Sequence, residues 1–75
     1  MTRDRKLNKL ANAIRTYVGG YVPATGEWKY FPKPSAWEGV VRWMKALKID
    51  TTENLMRVKQ GFKTDVEFQS WMKKL

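Results

Sequence analysis

The sequence predicts a mainly α, α+β fold in the order α-ββ-α-α-α: a compact four-helix domain with one β-hairpin inserted after the first helix. Three observations carry that expectation. Apolar residues recur at i, i+3, i+4 and i+7 in several separate stretches. Glycines and Ser/Thr-x-x-Glu boxes punctuate those stretches where helices stop and start. A single run of β-branched and aromatic residues surrounds a Pro-x-x-Gly turn. Seventy-five residues, 43% of them hydrophobic, suit one domain spanning 1–75, because two halves of such a chain could not each bury a stable core.

In the first helix, Leu7, Leu10, Ala11, Ile14, Tyr17 and Val18 make one apolar stripe, and Gly19-Gly20 ends it. Tyr21 to Phe31 follows as the hairpin: Pro23 presets a turn, Gly26 closes it, and Trp28 and Tyr30 share one face with Lys29 and Phe31 on the other. Pro32 and Pro34 terminate this strand. Ser35 and Glu38 form an S-x-x-E capping box that opens a second helix, with Trp37, Val40, Val41, Met44 and Leu47 as its stripe. Asp50 or Thr51 caps a short third helix, with Leu55, Val58 and Met56 as candidates for its inner face. Gly61 ends it and Phe62 packs back. Thr64 and Glu67 form a second box, opening a last helix with Phe68, Trp71, Met72 and Leu75 inward.

Function is narrowed first by what is missing. With no Cys and no His, disulfides, Cys/His zinc sites, thiol nucleophiles and Ser-His or Cys-His catalysis are excluded. Most of the seven acids stand at expected helix starts, where a carboxylate satisfies free N–H groups, so they need no catalytic explanation. No phosphate loop, nucleophile elbow or metal-ligand spacing occurs. The expectation is a protein that is not an enzyme, with no cofactor and no metal. The N-terminus lacks an apolar leader, which favours a cytoplasmic location.

A net charge of +8 invites an anionic partner. Residues 1–25 carry Arg3, Arg5, Lys6, Lys9 and Arg15 against Asp4 alone, which is half of the net charge. Lys29 and Lys33 follow amid Tyr21, Trp28, Tyr30 and Phe31. Cations that grip phosphates beside Asn8, Asn12 and Thr16, which also donate to them, and rings of a kind that stack on unpaired bases point to binding of DNA or RNA, mostly through phosphate contacts. The expected nucleic-acid surface is therefore Arg3, Arg5, Lys6, Lys9, Arg15, Lys29 and Lys33. The alternative is a small regulator or inhibitor docking on an acidic surface of a partner protein, with Trp28 and Tyr30 as anchors and the bases as steering charge. A plain solvated helix face and a plain core role for the rings are the bland counterparts of both. The stretch from Thr51 to Leu75 has a helix-turn-helix outline, but Asp65 and Glu67 on the exposed face of its last helix suit an ordinary αα-hairpin better. No membrane partner is expected, since the apolar stripe of the basic first helix lacks Trp and Phe and is needed by the core.

Overall fold

The computed structural model describes residues 2–19, 21–29 and 32–75, and it is mainly helical. Helix α1 spans Arg3–Val18, α2 Trp37–Ala46, α3 Thr52–Gln60 and α4 Asp65–Lys73. Between α1 and α2, strand β1 (Tyr21–Val22) pairs antiparallel with β2 (Glu27–Trp28), Tyr21 opposite Trp28 and Val22 opposite Glu27.

Helix α1 begins where the Thr2 hydroxyl accepts the Arg5 N–H at 3.3 Å, satisfying one of the amides a helix start leaves open. It stops at Gly19, whose φ of 66° turns the chain out of the helix. Leu10, Ile14, Tyr17 and Val18 are buried along the expected stripe. The turn between the strands closes through Gly26 at φ 70°, with the Gly26 N–H on the Val22 carbonyl at 2.9 Å.

The strand pairing is only two residues long, shorter than the aromatic run suggests. Its support comes from elsewhere. The Trp28 N–H donates to the Lys63 carbonyl at 2.9 Å, and the Asp65 N–H donates to the Gly26 carbonyl at 2.7 Å. These bonds flank a bridge between Glu27 and Thr64, so β2 is stitched to the chain entering α4. Trp28 sits over that junction, 4.7 Å from the Phe68 ring and 5.7 Å from the Phe62 ring, while Lys29 is exposed. Tyr30 and Phe31 lie outside the described residues.

The expected Ser35–Glu38 capping box does not form. Pro34, with its ring-fixed φ, instead occupies the first turn of a 3-10 segment, Pro34–Ala36, that runs straight into α2. Ser35 is thus inside the turn rather than before it, and no side chain caps this helix start. The Lys33 N–H holds the junction by donating to the Tyr17 carbonyl at 2.8 Å. Val40, Met44 and Leu47 are buried, with Trp37 and Trp43 packed at the edge of the core.

Helix α2 ends in a left-handed cap. Lys48 has φ 61°, its N–H bonds the Lys45 carbonyl at 3.0 Å, and the Ile49 N–H bonds Met44 at 2.9 Å. Thr51 caps α3 through the Asn54 N–H at 3.2 Å, and Gly61 at φ 78° ends it. Val58 points inward. Met56 does not: it is 50% exposed. Thr64 caps α4 through the Glu67 N–H at 3.2 Å. The Glu67 carboxylate accepts the Lys63 N–H at 3.0 Å, one residue earlier than a capping box would have it.

The core joins Leu10, Ile14 and Val18 of α1 to Val40 and Met44 of α2, Val58 of α3 and Phe68 of α4. Helices α1 and α2 run antiparallel. Near one end, a β-carbon placed on Gly39 would meet Ala13 Cβ at 3.9 Å, and near the other Lys6 Nζ reaches the Ala46 carbonyl at 3.5 Å.

Candidate nucleic-acid interface

The apolar stripe of α1 faces the core, so the opposite side is left to solvent. Arg5, Asn8, Lys9 and Asn12 line an open depression there. Arg3, Arg5 and Lys9 are exposed, and no ion pair joins them to a carboxylate among the described residues. Lys6 leans toward α2, its ammonium on the Ala46 carbonyl at the end where the helix dipole is negative.

That contact makes a larger surface visible. Because the two helices are antiparallel, the C-terminal half of α2 lies beside the N-terminal half of α1. Arg42, Lys45 and Lys48 are all exposed there. Among the described residues, seven cations therefore share one end of the α1–α2 pair, against Asp4 and Asp50. Arg42, Lys45 and Lys48 were not legible as part of the site, since they are separated from Arg5 by the strand segment and the Pro34–Ala36 turn. The signal that could have found them is the apolar stripe of both helices, which marks them as packing neighbours without fixing their direction.

The remaining expected site residues go elsewhere. Arg15 turns toward α4: its guanidinium is 4.0 Å from Asp65 and 5.1 Å above the Phe68 ring. Lys33 is exposed but bonded through its amide to Tyr17, about 18 Å along the α1 axis from Arg5 at a rise of 1.5 Å per residue. Lys29 is exposed next to Trp28, on the strand that is stitched to the start of α4. The expected seven-residue surface thus divides into an N-terminal group on α1 and scattered cations near its other end. Trp28, the first of the two expected docking anchors, is only 6% exposed and packs on Phe62 and Phe68. A ring needed by the core has little left to offer a partner. Tyr30, the second anchor, lies outside the described residues.

The α3–α4 half uses its charges differently. Arg57 donates to Glu67 Oε1 and to the Gly61 carbonyl, both at 2.6 Å, with its guanidinium 4.4 Å above the Phe62 ring. Lys59 Nζ sits 4.8 Å over the Trp37 ring. The Lys63 N–H, and behind it Arg57, hold the Glu67 carboxyl below its ordinary value of 4.5, against the opposing effect of burial.

Among the described residues, no three His, Cys, Asp or Glu side chains gather as metal ligands, and no helix is long and apolar enough to cross a membrane. No known protein family matches the sequence, and no curated protein or solved structure matches it either.

Proposed function

We propose that this chain is a non-catalytic nucleic-acid-binding protein of the cytoplasm, gripping phosphates with the exposed cations at one end of the α1–α2 pair. The observation that carries the reading is the gathering, among the described residues, of exposed Arg3, Arg5, Lys9, Arg42, Lys45 and Lys48 around half-buried Lys6, with Asp4 and Asp50 as the acids beside them. Uncompensated cations on one face repel each other, and phosphates relieve that repulsion while releasing condensed counterions. Asn8 and Asn12, beside Arg5 and Lys9, add neutral donors of the kind that fix a backbone in register. We take residues 21–28 as a β-hairpin inserted between α1 and α2, which ties α4 to the rest and leaves the basic end clear.

Binding of this kind depends little on sequence, because phosphate contacts carry no base information. The test is a gel-shift titration of the wild type against the double reversal Arg5→Glu with Lys9→Glu. Both positions face away from Leu10 and Ile14, so folding should be unaffected. The wild type should shift nucleic acid at low salt and the reversal should weaken binding by at least about tenfold. No shift by the wild type, or an intact shift by the reversal, would refute the reading.

A further inference from the structure

We infer that the ligand of the α1–α2 face is double-helical rather than single-stranded, an inference that rests on the nucleic-acid reading above. The first ground is geometric. The cations stand on two antiparallel helices in contact, Arg5 and Lys9 on one and Arg42 and Lys45 on the other. Packed helices keep their axes about 8–10 Å apart. That separation falls between the widths of the minor and major grooves of B-form DNA, about 6 and 12 Å. Arg and Lys side chains are long enough to close or open the difference, so each row of charge reaches one row of phosphates. A single strand offers one row and would leave the second helix idle.

The second ground is the placement of the rings. Proteins that hold single strands stack the unpaired bases on exposed aromatic faces. On this pair of helices Tyr17 is buried, and the Trp37 ring is covered by Tyr17 at 5.0 Å and by Lys59 at 4.8 Å. Trp43 is half-buried, with one side packed against the core. Tyr17 and Trp37 also lie at the opposite end of the antiparallel pair, so among the described residues the basic end presents cations and asparagines, with Trp43 as the aromatic ring beside them and that ring turned partly into the core. A duplex, whose bases are already stacked, needs no such platform.

The third ground is rigidity. The separation of the two rows is set by the buried packing of Leu10 and Ile14 on Val40 and Met44 and by the close Ala13–Gly39 approach, with no hinge between Lys9 and Arg42 and the helices that carry them. A fixed spacing selects a ligand whose own spacing is fixed.

Competition titrations decide it. A labelled short DNA duplex bound by the intact protein is displaced, at one salt concentration, by unlabelled duplex DNA, by duplex RNA of the same sequence, or by either DNA single strand. The duplex should compete at least about tenfold better than the single strands, and the RNA arm tells whether B-form or A-form geometry is preferred. Reversing the second row, Arg42→Glu with Lys45→Glu, should weaken duplex binding by about tenfold or more and bring the duplex and single strand closer together. The neutral pair Arg42→Gln with Lys45→Gln, in which both side chains stay polar and exposed, should lie between. Single strands competing as well as the duplex, or an α2 reversal without effect on duplex binding, would overturn the inference while leaving nucleic-acid binding standing. Absence of binding to every probe would overturn the nucleic-acid reading itself.

Discussion

Two halves of this small molecule spend the same residue types in opposite ways. In the α3–α4 half, Arg57 is held by Glu67, by the Gly61 carbonyl and by the Phe62 ring, and Arg15 reaches across to Asp65 and Phe68. In the α1–α2 half, Arg3, Arg5 and Lys9 stand in solvent, with no carboxylate paired to them among the described residues. Net charge by region would have ranked both as basic. What separates them is whether each cation already has a partner, and that is a property of the fold. A guanidinium laid over an aromatic ring and bonded to a carbonyl is part of the scaffold. One that projects from an otherwise finished helix is available to a ligand.

The sharpest way to break this contrast is to attack the aromatic junction beneath the α3–α4 half. Phe68 is fully buried and touches both Trp28 and Phe62. Phe68→Ala should cost about 3–5 kcal/mol, measured by urea unfolding. A loss below about 1 kcal/mol would mean that the junction is not the anchor of β2 and α4.

The next largest effect separates the two kinds of arginine directly. Arg57→Ala should lower stability by about 1–2 kcal/mol, because it releases the Gly61 carbonyl and Glu67 together. Arg5→Ala should lie within about 0.5 kcal/mol of the wild type. Equal losses at the two positions would erase the distinction.

Lys48 sharpens the comparison from the other side. It occupies a left-handed position that glycine adopts without steric cost, yet it carries a charge of the basic end. Lys48→Gly should therefore stabilise the fold by up to about 1 kcal/mol in thermal unfolding. The same variant should bind nucleic acid more weakly. A variant that gains stability and keeps full affinity would remove Lys48 from the interface.

The smallest effect is titration of Glu67. Its carboxyl is held low by the Lys63 N–H and then by Arg57. A carboxyl whose folded value is depressed contributes stability that is fully present above its unfolded value, near 4.5, and is lost as pH falls through the folded value. The wild type should accordingly lose more stability than Glu67→Gln as pH falls below about 4.5. Parallel acid titrations of the two would contradict the assignment.

Much of the fold was legible because it rests on local chemistry. The α1 stripe, the Gly19 and Gly61 stops, the Thr51 and Thr64 caps and the inward turn of Phe62 all follow from neighbouring residues. The Ser35–Glu38 box failed for an equally local reason: Pro34 starts the turn one residue too soon for the Ser35 hydroxyl to cap it. The bonds from β2 to Lys63 and Asp65 could not be read, since they join segments more than thirty residues apart with nothing in either that names the other. The candidate site shows the same division. Arg3, Arg5, Lys6 and Lys9 declare themselves as a cluster along one helix. Arg15 drops out through a partner fifty residues away, and Arg42, Lys45 and Lys48 enter only when α2 is laid against α1.

The most direct test of the central claim is the salt dependence of affinity for one duplex, measured for the wild type, for Arg5→Glu with Lys9→Glu, and for Arg57→Ala. Each neutralised phosphate contributes a slope of about −0.9 to a plot of log affinity against log salt. With most of the basic end engaged, the wild-type slope should fall at about −4 to −6, and the α1 reversal should make it shallower by about 2. Arg57→Ala, although less stable, should keep the wild-type slope. A wild-type slope near zero would contradict the account, and so would a slope that Arg57→Ala changes as much as the α1 reversal does.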